Sequence, residues 1–295
     1  MRSRRNTNPG MDKTKAKRTS GVFPGLVDRR AFLDRVVVSI WGDKRDSPDN
    51  VWVTKNRPIG GTNRNYARSQ RGVLLDSGNP YELRYGTMRL QGKLPPLTLV
   101  LRSERRPITL AGTVATIESL CEEVSQTTVS QLEHTFDLSG LSVEWLRHRI
   151  FTRARRFRRL RDEKGRRTLY IGGRTSPWQV RIYDKTDEVV RLEFILRRSF
   201  LRKLGVNGPT DLELLRDVNL KSLIRIRRLN RSVLATYTES LRELHRRILR
   251  EWLRDLTLRE LSARAKECEW ELPSGLFLQS KLDTQIQRMQ TRLVL

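Results

Sequence analysis

Apolar residues along this chain keep two different rhythms, and the rhythm changes near residue 200. Before that point they come in short runs or strict alternation, as strands do; after it they recur every three or four residues, as helices do. The run Leu33-Asp34-Arg35-Val36-Val37-Val38-Ser39-Ile40, rich in β-branched residues, predicts a buried strand. Residues 42–72 mix turn formers with charge and read as a long irregular connection. Further strands are predicted over residues 81–90, 97–101, 129–138, 168–171, 178–183 and 189–196, the last three separated by short turns. Helical spacing covers residues 111–124. It also covers an arginine-studded stretch at 141–160, with apolar positions at Leu146, Ile150, Phe157 and Leu160.

From Ser199 onward the chain reads as helical. Leu234, Tyr237, Leu241, Leu244, Ile248 and Trp252 form one apolar stripe. Thr257-Leu258-Arg259-Glu260 has the form of a capping box opening a further helix, in either a plain helical hairpin or a helix-turn-helix. The expected fold class is α+β: a mostly antiparallel central sheet with flanking helices, followed by a helical C-terminal region. Three parts are expected: a basic flexible tail at residues 1–25, an α+β domain at 26–205, and a helical DNA-binding or assembly region at 206–295. With 37% hydrophobic residues, six Trp, six Tyr and eight Phe, the chain has the means to bury a core.

Charge narrows the partners. The 59 Lys+Arg outnumber the 33 Asp+Glu, a net charge of +26 that repels itself until a polyanion neutralises it. Nucleic acid is the partner this points to, with arginines supplying forked contacts to phosphate. Candidate nucleic-acid-binding residues are Arg153, Arg155, Arg156, Arg158 and Arg159 in the arginine-rich stretch, with Arg174, and Arg225, Arg227 and Arg228 further on. No apolar run is long enough to span a bilayer and no signal-peptide pattern is present, so a cytoplasmic protein without membrane partners is expected. Cys121 and Cys268, the only cysteines, offer neither a disulfide framework nor a cysteine zinc site. No GxxxxGK[ST] loop indicates an ATPase. His134, His148 and His245 include no His-hydrophobe-His pair, and His134 reads as a core residue.

The most informative chemistry lies in two consecutive strands. Alternation puts Arg181, Tyr183 and Lys185 on one face and Val180 and Ile182 on the other. In the next strand Arg191 and Glu193 share a face, and the short link Thr186-Asp187-Glu188 folds the two polar faces together. The expected product is a tyrosine flanked by cations and facing a carboxylate. Glu133, Thr135 and Asp137 share one face of a third strand, and Asp34 opens a fourth. These carboxylates are hard oxygen donors of the kind that hold Mg²⁺ or Mn²⁺. The preferred ligands are Asp34, Glu133 and Glu193, with Asp137 second.

The run YIGGRTSPWQVRIYDK followed by VRLEF, together with LDRVVVSI and VSQLEHTFDL, resembles the rolling-circle replication initiators of plasmids and phages, the Rep_trans-like family. The likeness covers residues 33–198. It implies a replication-initiator or relaxase-like sheet and a nicking-and-joining reaction on one DNA strand. In that reaction Tyr183 attacks a phosphodiester, leaving a 5′-phosphotyrosyl enzyme and a free 3′-hydroxyl. Arg181, Lys185 and a carboxylate-held metal would favour phenolate and offset charge on phosphate. The implied partners are DNA, as an origin hairpin or a single strand, a host helicase, and a second copy of the chain in a homodimer. Two other readings stand beside this one: a non-catalytic basic DNA- or RNA-binding protein sharing the fold, and a basic structural or packaging protein.

Overall fold

The computed structural model describes residues 31–58, 65–87, 94–154, 156–161, 163 and 165–293; the segment expected as a tail, and Arg155, lie outside them. The chain begins with β1 (Ala31–Lys44), β2 (Val51–Pro58), β3 (Tyr66–Leu74), β4 (Pro80–Thr87) and β5 (Leu97–Arg102). It continues through α1 (Leu110–Leu120), β6 (Cys121–Ser139), α2 (Val143–Arg149), β7 (Ile150–Phe151), β8 (Phe157–Arg161) and β9 (Arg167–Ile171). Then come β10 (Trp178–Asp184), β11 (Val189–Arg197), α3 (Arg198–Lys203) and two 3-10 turns, Pro209–Asp217 and Leu220–Ser222. The last elements are β12 (Arg225–Leu229), α4 (Arg231–Ser240), α5 (Glu243–Asp255), α6 (Leu258–Glu267), β13 (Phe277–Gln279) and α7 (Lys281–Thr291).

Among the described residues, ten strands form one sheet in the order β2-β3-β4-β5-β1-β6-β11-β10-β9-β8. Every pairing in it is antiparallel. The fold is therefore α+β, with β1 and β6 as the long central pair. Alternation decides what each face carries. Leu132, Phe136 and Leu138 of β6, Val180 and Ile182 of β10, and Leu192, Phe194 and Leu196 of β11 are fully buried in one cluster. Val143 and Leu146 of α2, Leu212 and Leu215 of the first 3-10 turn, and Leu282 and Ile286 of α7 join that cluster, so these elements cover the apolar face. Phe136 and Phe194 meet edge to face at 5.8 Å; each ring so buried contributes about 1.5–3 kcal/mol. The opposite face of the central strands is polar.

Several elements differ from the sequence reading. Residues 42–72 are not one irregular connection: β2 and β3 occupy much of that span, with Gln70, Gly72 and Leu74 buried at alternate positions of β3, as in a strand with one face turned inward. The helix expected to reach residue 124 ends at Leu120, where Cys121 takes up extended backbone and begins β6. The arginine-rich helix expected over 141–160 stops at Arg149. Beyond it Ile150 and Phe151 pair with Ile226 and Arg225, while β8 pairs with β9 at the sheet edge. A strand sends consecutive arginines to opposite faces, whereas a helix would stack them at like-charge spacings. Arg225–Arg228, expected on a helix, form β12 in a small sheet ordered β13-β12-β7. The stripe from Leu234 to Trp252 is broken between α4 and α5, and α4 buries no residue.

Candidate active site

The site is built on the polar face of β1, β6, β11 and β10. Register places Arg181 opposite Glu193, Tyr183 opposite Arg191, Glu193 opposite Thr135, and Arg191 opposite Asp137. Side chains from three adjacent strands therefore meet on one surface. Asp34 arrives by a different device. In the β1–β6 ladder Leu33 pairs with His134 and Arg35 with Glu133, so Asp34 is an extra residue in a β-bulge. Inward positions change parity across it, from Ala31 and Leu33 to Val36, Val38 and Ile40. The bulge thereby turns both Asp34 and Arg35 toward the polar face.

Tyr183 is half-buried on that face, and its hydroxyl donates to Glu193 Oε1 at 2.7 Å. Glu193 is fully buried and also accepts from Arg181 Nε. Arg181 reaches Glu133 Oε2 at 3.4 Å and lies over the Tyr183 ring, 5.3 Å from its centroid. Arg35 approaches Glu133 Oε1 at 3.4 Å. Asp34, Glu133 and Glu193 each present an oxygen, and these oxygens lie within 4.8 Å of one another. Asp137 stands apart from that group. It accepts from Arg191 Nε and Nη2 at 2.7 and 2.9 Å and from Lys185 Nζ at 2.9 Å. Lys185 is thus tied to Asp137, and Arg191 ties Asp137 to Asp34 through a 3.3 Å contact.

Protonation follows from this geometry. Burial, then the neighbouring Glu193 carboxylate, push the Tyr183 phenol above its ordinary value, against the pull of Arg191 and Arg181. The flanking cations therefore do not by themselves produce a phenolate. Burial also raises Asp34, against Arg191, and raises Glu193, against Arg181. Burial pushes Asp137 up too, but hydrogen bonds from Arg191 and Lys185 outweigh it and hold that carboxyl low.

Three converging carboxylates are a donor set for a small, hard divalent ion. Thr135 adds to the fit. It is fully buried, on the same face of β6, registered opposite Glu193, and its Oγ1 has no hydrogen-bond partner among the described residues. A sealed hydroxyl beside carboxylates is a spare oxygen ligand or a seat for a bound water. His134 takes no part. Fully buried and stacked 4.7 Å from Phe136 on the apolar side, its ring is pushed by desolvation down to about 3.

No protein-family model matches this chain, and no curated protein matches it.

The candidate phosphate-binding arginines lie elsewhere. Arg153, Arg156, Arg158, Arg159 and Arg174 are exposed, and Arg158 stacks 5.0 Å over Tyr170 at the β8 edge. Arg156 lies by the Gly172-Gly173 turn, where its carbonyl accepts from Gly172 N at 2.9 Å. That turn needs glycine, since Gly172 has φ +91° and an added Cβ would sit 3.0 Å from Trp178 O. Arg225 and Arg228 are exposed on β12, while Arg227 donates to the Phe277 carbonyl at 3.2 Å. Among the described residues no helix is long and apolar enough to cross a membrane.

Sequence reading passed over Arg35, Thr135 and the bridging role of Arg191. For Arg35 a signal was present: Asp34-Arg35 interrupts the apolar alternation by two residues rather than one, which marks a bulge. Nothing in the sequence marks the Thr135 hydroxyl as unpartnered.

Proposed function

We propose that this chain is a rolling-circle replication initiator that nicks and rejoins one DNA strand through Tyr183 on a replication-initiator-like sheet. The observation that carries the reading is the Tyr183 hydroxyl bonded to Glu193, one of three carboxylates whose oxygens converge beside it. Attack by the phenol oxygen on phosphorus would form the tyrosyl–phosphate bond and break the bond to the 3′ oxygen. The 5′ side stays on the enzyme, and the departing 3′ oxygen takes up a proton. Glu193 Oε1 already accepts the phenol's hydrogen bond, so it is placed to receive the phenol proton. Arg181, over the tyrosine ring and fixed by Glu193 and Glu133, would offset charge on the phosphate oxygens. Asp34, Glu133 and Glu193 would hold Mg²⁺ or Mn²⁺, which supplies Lewis-acid polarisation of the phosphate. Rejoining reverses the step: a 3′-hydroxyl attacks phosphorus and tyrosine leaves.

Supercoiled plasmid carrying a cognate origin, incubated with Mg²⁺, tests the reading. Open-circle product with protein on the 5′ ends is expected from wild type and not from Tyr183→Phe, with DNA binding retained. Equal behaviour of the two proteins would leave only the non-catalytic nucleic-acid binder.

A further inference from the structure

Beside the carboxylate cluster, on the polar face of the sheet, lies an open groove of about 620 Å³. Its lining includes Arg35 of β1, Arg84 of β4, Gln131 of β6, Arg197 at the end of β11, and Arg198 and Arg202 of α3. None of the described residues that line it is acidic. Elements distant in sequence thus deliver five guanidiniums to one depression.

Those guanidiniums are incompletely satisfied. Arg35 Nε and Arg84 Nε are both shut off from solvent without an acceptor among the described residues. Arg84 spends one terminal nitrogen on Glu82 at 3.1 Å, and Arg35 reaches Glu133 only at 3.4 Å, long for a charge-assisted bond. Arg197 hydrogen-bonds the Ser176 carbonyl at 2.8 Å, and burial presses its guanidinium below its ordinary value. Arg198 donates to the Val206 carbonyl and the Asn207 side chain. Each guanidinium carries five donors in a fixed fork, and phosphate oxygens match that fork.

We propose that this groove binds the phosphate backbone of a single polynucleotide strand. A lone anion would neutralise one or two of these cations, whereas a backbone brings a phosphate to each in turn. The groove meets the carboxylate cluster at the Arg35–Glu133 pair, so a strand lying in it runs toward Glu193 and Tyr183. The choice of a single strand rests on the nicking reading; the affinity for phosphodiesters does not.

The test is fluorescence anisotropy of a labelled single-stranded oligodeoxynucleotide in EDTA, titrated with salt. Arg84→Ala/Arg202→Ala should bind roughly tenfold or more weakly than wild type. Its log–log salt slope should be shallower by about 1.4, at about 0.7 per lost single-strand phosphate contact. The equal-charge control Arg247→Ala/Arg250→Ala, on α5, should stay within about threefold of wild type. Arg202→Glu alone, an exposed change that spares the Arg84–Glu82 pair, should also weaken binding if the double variant melts early. Groove variants that bind like wild type, or no worse than the α5 control, would overturn the proposal. Nicking is scored separately on the same preparations: weakened groove variants with no nicking by wild type would sink Tyr183 chemistry and leave the groove standing.

Discussion

At the residue scale the site is a problem in charge compensation. Glu193 and Glu133 are buried acids, and a buried carboxylate is costly unless paired. Arg181 pairs with both and Arg35 with Glu133, while Arg191 compensates Asp34 and Asp137; on the proposed reading a divalent ion would share the cluster with these guanidiniums. Asp34→Asn, Glu133→Gln and Glu193→Gln should each weaken Mn²⁺ binding by about tenfold or more, measured by isothermal titration. Asp137→Asn should leave that affinity nearly unchanged and instead cost about 1–2 kcal/mol of stability, because Arg191 would lose the charge of its main partner while keeping Asp34. A denaturant titration reads that cost.

His134 gives a test that is separate from function. Its ring is sealed and neutral in the fold, with its affinity for protons pushed from the usual 6.5 down to about 3. Between those values the unfolded chain binds a proton that the folded chain refuses. Stability is therefore lost as pH falls through this window, by about 1.4 kcal/mol per pH unit for one proton. His134→Phe should shed that component, so its melting temperature should fall less than that of wild type between about pH 6.5 and pH 4.

At the element scale the strands of the site were legible and the arginine-rich segment was not. Strict alternation through Val180–Ile182–Tyr183 and Leu192–Glu193–Phe194 is enough to assign each residue to a face, and the observed register agrees. The stretch after Arg149 failed for a physical reason. Apolar positions at Ile150, Phe157 and Leu160 fit helical spacing, yet the pairing of β8 with β9 depends on a partner strand that no local periodicity reports. An edge strand studded with Arg158, Arg159 and Arg161 also resists pairing with another sheet edge. The bulge at Asp34 left its mark in the sequence as two successive polar residues. The β12 strand left none, because Arg225-Ile226-Arg227-Arg228 is too short to distinguish its two alternatives.

Helix starts were better signposted. Thr257 accepts from Glu260 N at 3.1 Å, and Glu260 returns to Thr257 N at 2.8 Å, forming the reciprocal cap read from the sequence. Thr257→Ala should destabilise the protein by about 1 kcal/mol. Chemical denaturation should show this as a lower midpoint with an unchanged slope.

At the scale of the whole molecule, one face of the sheet is given to the core and the other to charge. Helices and 3-10 turns close the apolar face, and the central part of the polar face holds carboxylates, a tyrosine and arginines within reach of one another. The formal charge of +26 makes close approach of a polyanion favourable and makes it salt-sensitive. On the proposed reading the excess charge gathers the DNA, the groove orients a strand, and the carboxylate-held metal and Tyr183 act on one phosphodiester.

The most direct measurement is the mass of the peptide containing Tyr183. It should be isolated after the protein has acted on a single-stranded origin oligonucleotide with Mg²⁺ and the DNA has been digested. A 5′-phosphonucleotide on the phenol oxygen of Tyr183 is expected, and none when Asp34→Asn or Glu193→Gln is used. Cleavage that leaves this peptide unmodified, or an adduct on another residue, would contradict Tyr183 as the nucleophile.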